Sequence, residues 1–410
     1  MNVHGPLRRR GPAEWAVRGL IALVAALLGY QAVVCTLAAT VAGSQLERAY
    51  RLAPGDARIA AALAERLSQS EAESGDRMRA SRLAHAALRR DPTALGAVTT
   101  LALGALLRND AARARALFDY AQYLSRRSLQ VQLWAIEDAV ARGDIPGALR
   151  HYDIALRTKR DASALLFPVL TSAIVDPTVR NAVATTLARR PVWGQGFVNF
   201  VASNGTDPLA SAALFDDLRR RDVAISNGAN AIVIAALLDT GRFDAAWSYY
   251  AGIRGGADRR KSRDPRFTAT LDEPSPLDWL LSDAAGISTS IQRGSDGGIF
   301  DFAVGPSIGG VLLRQAQLLL PGNYVLEGRS IGIDQPADTL PYWVVSCRDG
   351  RELGRVIMPA SASAGGRFAG RFSVPDDCPM QVLSLIARPS SAVAGLVGQI
   401  DRVTLRGVSQ

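Results

Sequence analysis

Histidine, lysine and cysteine are nearly missing from this chain of 410 residues. There are 3 histidines (His4, His85 and His151) and 3 cysteines, and only Lys159 and Lys261 break the dominance of arginine among 47 basic residues. So few cysteines exclude a disulfide-stapled miniature scaffold. The scattered histidines form no HxxH or HExxH spacing and the cysteines no CxxC, so no zinc site is expected. A glycine loop ending in GK[ST] is also missing, which removes the usual nucleotide-phosphate signature; GxSxG is spelled at Gly305–Gly309 and Gly328–Gly332, but neither is followed by the helix that a serine-hydrolase nucleophile elbow requires. The run Gly305-Pro306-Ser307-Ile308-Gly309-Gly310 lies between strand candidates with no helix after it, so it reads as a loop and not a phosphate cradle. Paired carboxylates could hydrolyse sugars, and Asp296, Asp301, Asp376 and Asp377 lie in the right region for it. Asp376-Asp377 stands at a turn, where aspartate is common for local hydrogen bonding alone. We therefore expect no enzyme activity, no cofactor and no metal.

What is present is apolar substance and positive charge. The chain is 48% hydrophobic and 21% charged, with 37 Gly, 20 Pro and a net charge of +9. It is too apolar for disorder and long enough for two or three units. Arginine beside abundant alanine is a compositional habit, so the charge by itself does not argue for nucleic acid.

Gly19 to Gly43 form an uncharged apolar run of 25 positions. At helical rise this is roughly 37 Å, enough to cross a bilayer with tilt. Arg8, Arg9, Arg10 and Arg18 precede it against a single acid, Glu14, which predicts residues 1–18 as a cytoplasmic tail, 19–43 as a transmembrane helix and the bulk in the periplasm. A cleaved signal peptide would have an apolar core of only about 7–15 residues. A lipoprotein signal at Cys35 lacks the small residue required just before the cysteine. Tyr30, Gln31, Thr36 and Thr40 interrupt the run, and polar groups at two of these sites are expected to bond within the helix or to a partner helix.

From about residue 49 to 160 the chain repeats every 34 residues. Gly75-Asp76, Asn109-Asp110 and Gly143-Asp144 each precede a matched trio: Ala80/Ala84/Ala87, Ala114/Phe118/Ala121 and Ala148/Tyr152/Ala155. Glycine or asparagine takes the left-handed backbone that ends one helix, and aspartate caps the next. Alanine at the matched sites lets paired helices approach closely. Gly241-Arg242-Phe243-Asp244, with Ala246 and Tyr250, is a fourth match, and the stretch 161–240 between is degenerate, with helices bounded by Pro177, Pro191 and Pro208. The trio resembles the signature of tetratricopeptide repeats, although the family's first-helix Trp is absent, Trp134 lying only near its place. The resemblance implies a right-handed stack of helix pairs over 44–253 with a concave protein-binding groove. Gln130, Leu133, Glu137 and Arg142 are its groove candidates by position; a solvated helix face is the alternative for the same residues.

Arg254 to Arg266 has six basic and two acidic residues. We read 254–270 as a flexible basic linker; a patch for an acidic polymer or lipid headgroups is the alternative. Beyond it the period changes to two, at Phe300/Phe302/Val304, Tyr324/Leu326, Trp343/Val345/Cys347, Phe372/Val374, 382–387 and 399–405. With the turn Pro321-Gly322-Asn323, about eight strands are expected over 271–410, as a two-sheet β-sandwich. The strand rhythm, the Pro-Gly-x-Tyr turn and the aromatic landmarks from Leu277-Asp278-Trp279 onward resemble the jelly-roll domains grouped with carbohydrate-binding modules. That resemblance implies sugar contact through exposed rings, for which Tyr342, Trp279 and Trp343 are candidates; core packing is the competing role. Tyr342 points away from the Trp343 face and is the better surface candidate.

Cys347 and Cys378 both fall in this sandwich, and outside the cytoplasm such a pair forms a disulfide; two buried free thiols in a cytosolic chain are the alternative. The fold class expected is thus multidomain α + β: a transmembrane helix, an α-helical tetratricopeptide-like solenoid and a C-terminal antiparallel jelly-roll-like β-sandwich. The function expected is a single-pass, inner-membrane, non-catalytic scaffold, binding protein partners through its repeats in the synthesis or export of a surface polysaccharide. A glycan-binding module held at the membrane by a helical spacer is the alternative.

Overall fold

The computed structural model of the chain describes residues 12–68, 73–270, 272–294 and 297–408. Arg8, Arg9, Arg10, His4 and Asp296 lie outside the described residues. Two compact units divide the chain, Met1–Ser163 and Ala164–Gln410.

In the first unit, α1 (Pro12–Ala42) is long and apolar enough to cross a membrane, and only Ala38 of its residues is buried. Among the described residues it already runs from Pro12, seven residues before the expected span, where Glu14 and Arg18, one turn apart, pair at 3.2 Å and support the helix beyond its apolar part. Thr36 Oγ1 donates to the Ala32 carbonyl and Thr40 Oγ1 to that of Leu37, both at 2.8 Å, so the span satisfies its own hydroxyls. Then come α2 (Leu46–Leu52), α3 (Ala57–Leu67), α4 (Ser74–Arg90), α5 (Leu95–Leu107), α6 (Ala111–Leu124), α7 (Leu129–Ala141) and α8 (Ile145–Thr158). All nine residues of the three matched trios are buried. Asn109 (φ 58°) and Gly143 (φ 71°) take the left-handed backbone, and Asp110 and Asp144 then cap α6 and α8 by accepting from Arg113 N and Gly147 N. Gly75-Asp76 departs from this pattern: it lies inside the first turn of α4, whose cap position is Glu73. Phe118 is fully buried and stacks on Trp134 with ring centres 4.4 Å apart.

The second unit opens with α9 (Ala162–Ala173), α10 (Pro177–Leu187), α11 (Gly194–Asn204), α12 (Pro208–Arg219), α13 (Asn227–Asp239) and α14 (Phe243–Ile253). Pro177 and Pro208 occupy first-turn positions, where the missing N–H is harmless. The sandwich follows as β1 (Leu280–Leu281), β2 (Ile287–Gly294), β3 (Gly297–Val304), β4 (Gly310–Gln317), β5 (Gly322–Ile331), β6 (Tyr342–Cys347), β7 (Glu352–Ile357), β8 (Arg367–Val374), β9 (Gln381–Ala387) and β10 (Leu396–Gly407). They make two five-stranded antiparallel sheets, ordered β1-β4-β9-β6-β7 and β2-β3-β10-β5-β8. The chain crosses repeatedly from one sheet to the other, which is jelly-roll-like. Trp343, Phe300, Phe302, Leu326, Leu385 and Leu405 fill the space between them.

Residues 254–270 are not a flexible linker. Phe267 is fully buried against Trp279 and Phe300. Ser262 N donates to the Leu405 carbonyl, Val403 N to that of Pro265 and Gly407 N to that of Arg260, so the segment covers the edge of β10 beyond the reach of β3. An unpaired sheet edge supplies the partners that the charged sequence does not advertise.

The same segment ties the helices to the sandwich. Arg263 Nε donates to the Leu277 carbonyl at 2.9 Å and Nη2 to that of Ala316, while its guanidinium stands 5.7 Å from the Trp247 ring centre and 5.8 Å from that of Tyr250. Tyr250 on α14 donates to Asp278 at 2.9 Å. Arg259 reaches both Asp244 (2.8 Å) and the Leu318 carbonyl (3.0 Å). Arg348 donates to the carbonyls of Leu238 (2.9 Å) and Asp239 (3.2 Å), placing a cation on the carboxyl end of α13.

Candidate functional site

Alternation along β6 sends Trp343, Val345 and Cys347 inward and Tyr342, Val344 and Ser346 outward. Trp343 is 0% and Trp279 5% exposed. Both indoles are therefore corrected to core residues: they lie 5.9 Å apart, Trp343 also packs on Phe368, and Trp279 Nε1 donates to the Asp264 carbonyl at 2.9 Å. Neither offers a face to a sugar.

Tyr342 is partly exposed on the outer side of its sheet. Two guanidiniums lie over its ring, that of Arg355 at 4.4 Å from the centre and that of Arg388 at 4.9 Å. Arg355 is steadied by two bonds to Glu352, at 3.1 and 2.7 Å, and this pairing holds the Glu352 carboxyl below the usual range. Arg388 Nη1 donates to the Asp338 carbonyl at 2.9 Å. Tyr342 is thus a clamped ring in a cationic setting and not a bare stacking platform.

The register sets what surrounds it. Tyr342 stands between Ile386 on β9 and Ile357 on β7, and the next outward row runs Arg314, Ser384, Val344, Arg355 across β4, β9, β6 and β7. Three strand spacings separate the two arginines, about 14 Å, with short side chains between. Ile357 is 50% and Val311 39% exposed, so this end of the face is open. Sequence reasoning missed Arg314, Arg355 and Arg388. β4 and β7 mix glycine and charge without clean alternation, and only the register brings these arginines to one face.

Cys347 and Cys378 are disulfide-bonded, with Cα atoms 5.7 Å apart, joining the end of β6 to the turn after β8. Beside the bond Arg351 Nη2 donates to Asp377 at 2.8 Å, which lowers the proton affinity of Asp377. Asp301 sits elsewhere, on β3, accepting from Gln399 at 2.7 Å. Asp376 is exposed in the turn. Among the described residues no group of three His, Cys, Asp or Glu could hold a metal ion.

On α7, Gln130 and Leu133 are partly buried and Glu137 is exposed. Arg142 at the helix end is committed to Asp138, its Nε donating at 3.0 Å. Asp138 also accepts from Arg115 on α6, at 3.1 and 2.8 Å. Burial opposes the charge of Asp138, but the two guanidiniums together hold its carboxyl below the usual range. Gln132, fully buried on the same helix, meets His151 Nδ1 at 2.8 Å and donates to the Arg126 carbonyl at 3.1 Å. The positional argument named Arg142 but not the aspartate that holds it.

No family model matches the chain, and no curated protein matches it in sequence. Among solved structures, a Glycosylation Associate Protein (Gap123) complex from Streptococcus agalactiae is 12% identical with a TM-score of 0.22, over 32% of this chain and 44% of that one. A CBM4 structure is 15% identical with a TM-score of 0.25, over 37% of this chain and 99% of that one. The carbohydrate-binding module CBM6cm-2 of Cellvibrio mixtus lichenase 5A, in complex with cellotriose, is 12% identical with a TM-score of 0.21, over 32% and 98%. The chain spans less than half the length of the first of these. A function for this chain has to come from its own residues.

Proposed function

We propose that this chain is a membrane-anchored, non-catalytic glycan-binding protein of the bacterial envelope, with its bulk in the periplasm. One observation carries the reading: on the outer face of a sheet, an aromatic ring is clamped under two guanidiniums beside a row of short side chains, Ser384 buried and Val344 half-buried, bounded by Arg314 and Arg355. A sugar presents apolar C–H edges and a rim of oxygen acceptors. The row of short side chains admits the former, and arginine forks donate to the latter in fixed geometry. A rigid sheet holds both at set spacing, as recognition requires.

The test is glycan-array binding by the full chain in detergent micelles, with Tyr342→Ala and Arg355→Ala. At about 1.4 kcal/mol per decade, loss of one such anchor is expected to weaken binding about tenfold. Binding to no glycan, or equal binding by both variants, would remove the reading. A second reading is docking of protein partners on the helical repeats, in the synthesis or export of a surface polysaccharide. It is favoured by exposed apolar side chains on these helices: Tyr123 (87%), Leu107 (63%) and Val140 (61%). Pull-down of one defined partner from membranes, abolished by deleting 75–160, is its expected result.

A further inference from the structure

The other sheet carries a charge pattern that the Tyr342 face does not use. Arg402 on β10 stands directly opposite Arg329 on β5, and Arg329 directly opposite Arg367 on β8. The inward neighbours Val403 and Phe368 are buried, whereas all three arginines are exposed. Three arginines thus occupy one cross-strand row on the outer surface, about 10 Å from end to end at the strand spacing. Like charges placed opposite one another destabilise a sheet, so this row works against the fold.

The acids nearby neutralise it only in part, since Arg329 alone of the three has a carboxylate partner. Asp401 lies 3.8 Å from Arg329, and Glu327 accepts from Arg406 at 3.3 Å. Among the described residues no ion pair engages Arg367 or Arg402. The row lines a cleft of about 640 Å³ whose floor includes Gly328, Ala369 and Thr404, with one acid, Glu327, which stands between Thr404 and Ala369 and is itself paired with Arg406. Such a volume exceeds what a single inorganic anion fills and lies within the range of ligand sites.

The positive charge continues along the strands. Four residues on, roughly 13 Å away, Arg406 on β10 and Arg371 on β8 both stand opposite Val325. Past them Lys261 pairs backbone to backbone with Arg406, and its side chain, 71% exposed, is shared with Asp258 at 3.5 Å. The basic segment that covers the β10 edge therefore extends the same band.

We propose that the outer face of β10, β5 and β8 binds an acidic polysaccharide, whose carboxylate, sulfate or phosphate groups meet successive arginine rows. Guanidinium forks match these oxyanions in geometry as well as in charge. Two rows separated by more than one sugar-sized step call for a polymer. A bilayer is the poorer fit, because the cleft floor is small and polar and offers no large exposed apolar group for the acyl region. Single-stranded nucleic acid would want exposed rings to stack on, and Phe368 is buried. The site is on the opposite sheet from Tyr342 and stands independently of that face.

The experiment uses the full chain in phosphatidylcholine nanodiscs and biolayer interferometry. The probes are polygalacturonate, dextran sulfate, a polyphosphate-bearing glycan, neutral dextran, inorganic phosphate and phosphatidylglycerol vesicles. At least one acidic polymer is expected to bind and neutral dextran is not, with affinity falling at least about tenfold from about 50 to about 300 mM salt. The triple variant Arg329→Gln/Arg367→Gln/Arg402→Gln should lose at least about 100-fold, while the triple Lys variant should stay within about tenfold of the parent. Because the row is self-repelling, the triple Gln variant should melt at the same temperature as the parent or higher. The proposal is overturned if no acidic polymer binds, if neutral dextran or inorganic phosphate binds equally well, or if only the vesicles bind. It is equally overturned if the triple Gln variant binds like the parent or melts markedly earlier.

Discussion

Replacing Arg263 with alanine asks whether 254–266 belongs to the folded body. The side chain is 6% exposed, and it satisfies two buried carbonyls, those of Leu277 and Ala316. Burial pulls its proton affinity down to about 10, against the opposing pull of Tyr250 and Asp278, so it remains a cation at neutral pH. Removing it leaves two acceptors unpaired at about 1–3 kcal/mol each and forfeits contacts to Trp247 and Tyr250 worth about 0.5–2 kcal/mol. Relief from desolvating the cation offsets part of this. The net expectation is a loss of about 3–5 kcal/mol, the range seen when one member of a buried polar arrangement is deleted. Arg263→Met, which keeps most of the volume but not the bonds, should lose less. The assay is the urea midpoint of tryptophan fluorescence, to which Trp247, Trp279 and Trp343 are placed to respond. A solvated linker would lose under about 0.5 kcal/mol, and a value that small for Arg263→Ala refutes the reasoning.

Three further outcomes follow from packing and charge. Cys347→Ser/Cys378→Ser frees a loop of 31 residues and should cost about 3–4 kcal/mol by chain entropy; an unchanged urea midpoint would count against the bond's contribution. Phe118→Ala removes a fully buried ring stacked on Trp134 and should cost about 3–5 kcal/mol in the helical unit, read by circular dichroism. His151 is held below its ordinary value, first by burial and then by Arg150, with Arg142 adding to it and Asp144 opposing. A depressed folded value means the unfolded chain takes up the proton first. The contribution of His151 is therefore complete above about pH 6.5 and is lost as pH falls through the folded value. Melting should drop on acidification through that window and drop less in His151→Gln; a rise on acidification would contradict the sign.

The parts legible in the sequence were those with a strong local period. Phe300, Phe302 and Val304 alternate cleanly and do face the core, as do Trp343 and Val345. Asn109-Asp110 and Gly143-Asp144 announce both a left-handed residue and the cap beside it, whereas Gly75-Asp76 looks the same but lies inside a helix that starts at Ser74, three residues before the matched position. β2 escaped notice because Ser288, Thr289, Ser290 and Gln292 give it a polar run with only Ile287 and Ile291 to set the alternation. β4 carries a register shift between Val311 and Leu313, which breaks its alternation. The surface arginines were invisible as groups, since each comes from a different strand and only pairing aligns Arg402, Arg329 and Arg367. Six basic residues in thirteen read as solvated charge, and nothing local reveals that Arg263 meets buried carbonyls far along the chain.

Arg348 has a mechanical consequence. It follows Cys347 directly and grips the end of α13, while Arg259, Tyr250 and Arg263 hold the seam elsewhere. Four fastenings therefore join the sandwich to the last two helices, so that the loss of one leaves three in place. The sandwich is a welded handle and does not dangle like a bead on a thread.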